Sequence, residues 1–285
     1  MNQNNSPIIK PEELVALGRK SELVIIDASN GSGAKENYVA KHLDGALYVD
    51  LNTQLANINA DVSIGGRHPL PKLEQFSETL TNLGITPKSH VVVYDDKNGA
   101  NAASRFWWML KSVGHDKVQV LDGGLQAAIK AGFPTSSKVE IPLKKESYKI
   151  DKWLLPFVDI HEIDKVSLDA DFLVVDVRDE ERYNGEKETI DLVAGHIPEA
   201  INIPFTTNLD SSGFFLSPEE LRNNYLNKFG GKKAENVIVH CGSGVTACHT
   251  LLAIAYAGLE VPKLYVGSWS EWSRNNRPIA TSKKK

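Results

Sequence analysis

The stretch VIVHCGSGVTACHTLLAIAYAG, residues 237–258, places Cys241 where an apolar run ends and a Gly-Ser-Gly turn begins. Val237, Ile238 and Val239 are consecutive and β-branched, which suits a strand buried on both faces. From Thr246 to Ala257 good helix formers predominate; Leu251, Leu252, Ile254 and Ala255 supply an apolar surface, and Gly258 stands as a stop. The spacing therefore predicts strand, tight loop, helix. Glycine at 242 and 244 permits backbone angles that a side chain forbids, so successive N–H groups can converge at the helix N-terminus. An anion placed there is stabilised, and the thiolate of Cys241, the nucleophilic form of the residue, is such an anion. Cys248, inside the expected helix on a mostly apolar segment, is expected to fill core.

The rest of the chain must position that loop. With 285 residues and a hydrophobic share of 41% it has material for two domains with their own cores. A net charge of -4 gives no reason to expect nucleic acid or an anionic membrane as partner. No apolar run approaches the length of a bilayer span, and the start, MNQNNSPIIK, lacks the apolar core of a secretory signal. The lysines of the final TSKKK read as a solvated tail. Two cysteines do not make a disulfide framework, so a reducing cytoplasm is the expected setting.

An internal repeat organises the elements. VVVYDDKNGANAASRFWWMLKSVG, from Val91, lies over the stretch from Val237 with strand on strand and helix on helix, so that Asp95 falls where Cys241 falls. LVIIDAS at 23–29 matches LVVDVRD at 173–179, HLDGALYVDL at 42–51 matches HIPEAINIPF at 196–205, and VLDGGLQAA at 120–128 matches YVGSWSEWS at 265–273. Each half alternates short β-branched strands with helical stretches, the pattern of a parallel sheet covered by helices, so the fold class is α/β. The expected organisation is a first domain over 1–140, a linker over 141–156 and a second domain over 157–285. Only the second keeps a nucleophile at the strand-to-helix turn.

The tandem arrangement, with CGSGVTA at 241–247, GHIPEAINIPF at 195–205 and GSWSEW at 267–272, resembles the two-domain rhodanese-like sulfurtransferases. RFWWML and the Gly114–His115 pair after it extend the likeness over nearly the whole chain. Within the family, CGSGVT is similar to the loop of 3-mercaptopyruvate sulfurtransferases, whereas thiosulfate sulfurtransferases typically carry a cationic loop of the type CRKGVT. The resemblance implies that Cys241 attacks the sulfur of 3-mercaptopyruvate, that pyruvate leaves as its enol form, and that the sulfur stays as a Cys241 persulfide. A thiol acceptor such as reduced thioredoxin, or cyanide, then removes it. No metal or organic cofactor is implied.

The resemblance also implies site residues. Arg178 and Arg182, in DVRDEERY, stand where the family places arginines facing the substrate, and a guanidinium fork suits a 2-oxo carboxylate. Arg182 is the stronger candidate, since Arg178 is also placed for a structural ion pair. Gly242, Gly244, Val245 and Thr246 form the loop that surrounds the reacting sulfur. Ser243 resembles a residue the mercaptopyruvate enzymes use with a histidine and an aspartate from the first domain; His42, in KHLDGA, matches that histidine's motif, and the stretch Gly31–Gly33 offers no aspartate. The chain departs from the pattern in three places. The segment before GHIP carries only Lys187 as a cation where a second arginine is common, Glu199 replaces a glycine, and Val266 replaces an acidic residue, with neither of the last two expected to touch the loop chemistry.

Other chemistries fit less well. Phosphatases that share this fold need an arginine after five residues from the cysteine, and that position is Ala247. Metal binding by His240, Cys241, Cys248 and His249 would need a strand end and a helix interior to converge. Two alternatives remain: a thiosulfate sulfurtransferase, or a sulfur-relay and interaction module with weak catalysis. The neutral Gly-Ser-Gly favours mercaptopyruvate, because thiosulfate is a dianion and gains from loop cations.

Overall fold

The computed structural model describes residues 6–18, 20, 22–143 and 146–282. The expectations for the extreme N-terminal residues 1–5 and for the lysines at 283–285 fall outside them. In the first unit the strands are β1 (Ile8–Ile9), β2 (Leu23–Asp27), β3 (His42–Leu43), β4 (Ala46–Tyr48), β5 (His90–Tyr94), β6 (Val118–Leu121) and β7 (Thr135–Ser136). Five of them form a parallel sheet in the order β1-β6-β5-β2-β4, while β3 and β7 pair antiparallel. In the second unit β8 (Phe157–Val158), β9 (Leu173–Asp176), β10 (Ile201–Asn202), β11 (Val237–His240) and β12 (Lys263–Tyr265) form a parallel sheet in the order β10-β9-β11-β12-β8. Position for position this is the same topology: β2 corresponds to β9, β5 to β11 and β6 to β12. The repeat read from sequence is a repeat of fold, with helices flanking each parallel sheet.

The central strands show why the sequence takes this form. Val91, Val92, Val93 and Tyr94 in one unit, and Val237, Ile238 and Val239 in the other, have no exposed surface. Helices on both faces of a parallel sheet require such continuous apolar runs. Each fully buried side chain of this kind contributes roughly 1.5–3 kcal/mol relative to exposure. The strand that ends at the cysteine is therefore the most firmly held part of its sheet, and its C-terminal end is where doubly wound sheets place ligands. The helix after the loop runs Ala247–Tyr256, and Gly258 follows it with φ 70°.

The units are not two successive stretches of chain. The first comprises residues up to Ala56, Pro71–Leu154 and Ser211–Phe215; the second comprises Asn57–Leu70, Leu155–Asp210 and the chain from Leu216 onward. A fourteen-residue segment from the N-terminal half of the sequence thus belongs to the unit that carries Cys241.

One departure from the expected pattern has a backbone explanation. Glu199 has φ 61°, in the left-handed region, and at the matching place in the first unit Gly45 has φ 82°. The turn into β4 and β10 requires that conformation. Glycine adopts it freely, whereas a residue with a Cβ is strained there.

Candidate functional site

The loop is clamped from the 267–272 segment. The Cys241 N–H donates to Ser268 Oγ at 3.2 Å. The Trp269 N–H donates to the Cys241 carbonyl at 3.0 Å and the Ser270 N–H to the Gly242 carbonyl at 2.9 Å. The two glycines answer different needs. Gly244 has φ 72°, and a Cβ on it would lie 2.3 Å from the Val266 carbonyl oxygen. A Cβ on Gly242 would lie 2.9 Å from Arg67 Nη2, 3.3 Å from Asp191 Oδ2 and 3.4 Å from Arg182 Nη2. Val245 and Thr246 lead into the helix, their carbonyls accepting from the N–H groups of Cys248 and His249 at 3.0 Å each. Cys241 is only 2% exposed, and Cys248 is fully buried with its thiol donating to the Gly244 carbonyl at 3.4 Å.

The matching loop of the first unit shows what this backbone does with an anion. The Asp95 carboxylate is fully buried and accepts four backbone N–H groups: Lys97 at 2.9 Å, Gly99 at 2.8 Å, Asn101 at 3.1 Å and Ala103 at 3.2 Å. Burial pushes its pKa up to about 6, and the four donors oppose that rise. In the first unit the strand-to-helix turn thus collects amides around the side chain at its head, and the residue at the matching place in the second unit is Cys241.

The 57–70 segment brings two residues to the loop. It is pinned by Gly65 N–H to Glu271 Oε1 at 2.7 Å, Arg67 N–H to Ser270 Oγ at 3.0 Å and Asn275 Nδ2 to Ser63 carbonyl at 2.8 Å. His68 Nδ1 then lies 2.8 Å from Ser243 Oγ. Arg67 donates through Nε to Asp191 Oδ1 at 3.0 Å. Arg182 meets the other oxygen of Asp191 through Nη2 at 2.9 Å and holds Glu188 through Nε at 2.9 and 3.1 Å. Arg274 Nη1 is 3.5 Å from Asp191 Oδ1. Burial works to lower the Arg182 pKa, but its bond to Glu188 and the charges of Glu188, Asp191 and Cys241 outweigh burial and raise it. The Glu188 carboxylate is held below its usual range: burial opposes this, and the Arg182 hydrogen bond prevails. The Arg182 guanidinium therefore stays charged beside the loop.

Three of the sequence expectations change here. His42 is not the histidine beside Ser243. Its Nδ1 bonds the Tyr38 carbonyl at 2.6 Å, its ring stacks on Tyr38 at 4.2 Å, and Nε2 faces Glu140 at 3.6 Å. His196, at the matching place in the second unit, repeats the arrangement with Tyr183, at 2.8 Å to the carbonyl and 3.8 Å between rings. A device present in both units, one of them without a nucleophile, is part of the fold. Arg178 is likewise internal: it forks onto Asp176 through Nε at 3.0 Å and Nη2 at 2.6 Å, bonds the Gly195 carbonyl, and lies 4.5 Å over the Trp269 ring. Asp176 in turn is kept below the usual carboxylate range, the Arg178 charge overcoming the effect of burial. Val266 approaches the loop through its backbone, the carbonyl lying against Gly244. Lys187 is exposed and pairs with Glu181 at 3.9 Å; the additional cation at the loop is Arg67.

The sequence reading missed Arg67, His68 and Asp191. Arg67 and His68 lie outside every repeated block and 124 or more positions from Asp191, Ser243 and Ser270, which they touch, so no local pattern flags them. Asp191 sits in the bend-rich segment before Gly195, where an arginine is the common residue. Among the described residues, no group of three or more His, Cys, Asp or Glu side chains is placed to hold a metal ion, and no helix is long and apolar enough to cross a membrane.

Comparison with known proteins agrees with this geometry. The family profile described as "Rhodanese-like domain" matches residues 10–131 and 160–275. A Pseudomonas aeruginosa protein named "Probable 3-mercaptopyruvate sulfurtransferase" is 36% identical over 285 residues, covering 98% of this chain and 99% of its own. A Mus musculus thiosulfate sulfurtransferase is 34% identical over 249 residues, 86% of this chain and 82% of its own. The structure of 3-mercaptopyruvate sulfurtransferase from Leishmania major superposes with a TM-score of 0.83 at 28% identity, covering 97% of this chain and 76% of its own.

Proposed function

From the premise that this chain belongs to the family of tandem rhodanese-like sulfurtransferases, we propose that it moves sulfur from 3-mercaptopyruvate through a Cys241 persulfide to a thiol or cyanide. The Cys241 thiolate attacks the donor sulfur, an S–S bond forms and the C–S bond breaks. Its electron pair passes into the adjacent carbonyl, leaving the enolate of pyruvate, which requires a proton. The observation that carries the reading is the 2.8 Å hydrogen bond between Ser243 and His68 beside the cysteine. A hydroxyl held by an imidazole at that distance can deliver a proton to the departing enolate. Arg67 and Arg182 take the carboxylate, and the loop amides from Gly242 to Ala247 hold the anionic sulfur in both half-reactions. The acceptor, a thiol such as reduced thioredoxin or cyanide, attacks the outer sulfur and returns Cys241 to its thiolate. Both cysteines are free, which suits a reducing cytoplasm.

Thiosulfate is the second reading. Its leaving group, sulfite, needs no proton, and three arginines stand beside the loop, although Asp191 offsets the charge of one of them. Intact mass after exposure to each donor tests the chemistry, with a gain of one sulfur that disappears in Cys241→Ser as the expected result. The ratio of kcat/KM for the two donors tests the choice between them. A clear preference for thiosulfate would overturn the assignment of mercaptopyruvate.

A further inference from the structure

The side chain of Asp191 has no exposed surface and receives three arginines. Such a carboxylate among guanidiniums is chemically a stand-in for a substrate anion, yet it is part of the chain. Its position beside the loop is fixed by Gly242, whose missing Cβ leaves room for Arg67, Asp191 and Arg182 together. The charge at this point is countable. Arg67, Arg182, Arg274 and Arg178 face Asp191, Glu188 and Asp176, which leaves one positive charge, and the Cys241 thiolate takes that one up.

We propose that Asp191 sets the donor specificity of the site by neutralising one of the guanidiniums at Gly242, which disfavours a dianion more than a single carboxylate. The inference rests on the reading that Cys241 accepts sulfur at this place. Asp191 touches no reacting atom in this scheme. It is a positioning residue that acts through the arginines, orienting their forks toward the loop and setting their net charge. With the Cys241 thiolate counted the arginines have no charge free, so thiosulfate meets one more unit of repulsion than a singly charged 2-oxo acid. Removing the carboxylate charge offsets that repulsion.

The test compares kcat/KM for thiosulfate and for 3-mercaptopyruvate in the wild-type chain, in Asp191→Asn and in Arg67→Gln. One unit of charge at this range, in a partly buried setting, shifts the thiosulfate-to-mercaptopyruvate ratio by about tenfold. Asp191→Asn is expected to raise the ratio and Arg67→Gln to lower it. If Asp191 were only structural, its loss would reduce both donors together and leave the ratio unchanged, and that result overturns the proposal. Should Asp191→Asn fail to fold, Arg67→Gln carries the test alone, since an unchanged or raised ratio there is equally fatal. Intact mass separates the two levels of argument: a wild-type chain that takes sulfur from neither donor overturns the reading of the site and this proposal with it, whereas a Cys241 persulfide with unshifted ratios overturns this proposal only.

Discussion

Gly242 and Gly244 are two residues apart, and the same substitution at each should fail in different ways. At Gly244 an alanine must hold φ 72°, and its Cβ would press on the Val266 carbonyl from 2.3 Å. The left-handed backbone costs about 1–2 kcal/mol. The clash cannot be relieved by rotating a side chain, because the obstacle is backbone held between β12 and the clamp at Ser268; overpacking of that kind costs about 1–3 kcal/mol. Gly244→Ala should therefore lose roughly 2–5 kcal/mol of unfolding free energy in urea, the sum of those two costs. If the loop instead yields by about 1 Å, the rate of sulfur uptake should fall on the order of 100-fold. At Gly242 the backbone is ordinary and the nearest obstacle, Arg67 Nη2 at 2.9 Å, is the end of a flexible side chain. Gly242→Ala should keep its stability to within about 1 kcal/mol and show its defect in KM, as the guanidinium moves aside. Urea unfolding paired with intact-mass kinetics at a series of donor concentrations reads both variants. Gly244→Ala with wild-type stability and wild-type uptake would refute the claim that loop geometry dictates these glycines.

Three further outcomes are expected. Ser243→Ala should lower kcat with 3-mercaptopyruvate by about 100-fold while leaving thiosulfate turnover within a few-fold, since only the first leaving group needs a proton; equal losses with both donors would remove the proton-delivery role. Asp95→Asn should destabilise the first unit by about 2–4 kcal/mol, because an amide nitrogen set against the N–H groups of Asn101 and Ala103 leaves two buried donors without an acceptor. The wild-type carboxyl titrates near 6 when folded against 3.8 as its ordinary value, so the native state keeps a proton that the unfolded state sheds. Its contribution to stability thus falls as pH rises from about 4 to about 6, and that part of the pH dependence should be missing in Asp95→Asn when unfolding is measured across the window. Glu199→Gly should raise the unfolding midpoint, by about 0.5–1 kcal/mol in free energy, as left-handed strain is relieved against a smaller entropic loss; a lowered midpoint would show that the turn does not strain its side chain.

The parts of the molecule legible in the sequence were those governed by local rules. β-branched runs before a glycine-rich turn and helix formers after it fixed β11, the loop and its helix to within a residue or two, and the repeat extended that reading to β5. The parts that were not legible depend on long-range return of the chain. Arg67 and His68 reach the loop because the Gly65 and Arg67 N–H groups donate to the side chains of Glu271 and Ser270, and although those two lie in the GSWSEW motif, the 57–70 end of the contact has no sequence pattern of its own. His42 was an attractive candidate because its motif is genuine, but the motif encodes a histidine stacked on a tyrosine and bonded to that tyrosine's carbonyl, a packing unit that His196 repeats. Arg178 misleads for a related reason: the two-residue spacing that could aim it outward also lets it fold back onto Asp176.

The two units together separate what the loop supplies from what the reaction needs. Both carry a strand-to-helix turn at the end of the central strand, and in the first the turn collects four amides around Asp95. Amide convergence therefore does not depend on a cysteine being present, and an anion cradle alone is not a sulfur-transfer site. A carboxylate oxygen is a poor nucleophile toward sulfur and would form only a labile O–S bond, whereas a thiolate forms a stable S–S bond. The second difference lies in the arginines. Ser29 bonds Asp27 through its N–H as Arg178 bonds Asp176, which aligns the two strands and puts Gly33 opposite Arg182. The first unit thus has neither the nucleophile nor the guanidinium at the matching positions. Replacing Asp95 with cysteine would restore only one of the two. Such a chain should bind thiol reagents at residue 95 yet take no sulfur there from 3-mercaptopyruvate, and a second sulfur in the intact mass of Asp95→Cys would show that the amide cradle suffices without the arginines.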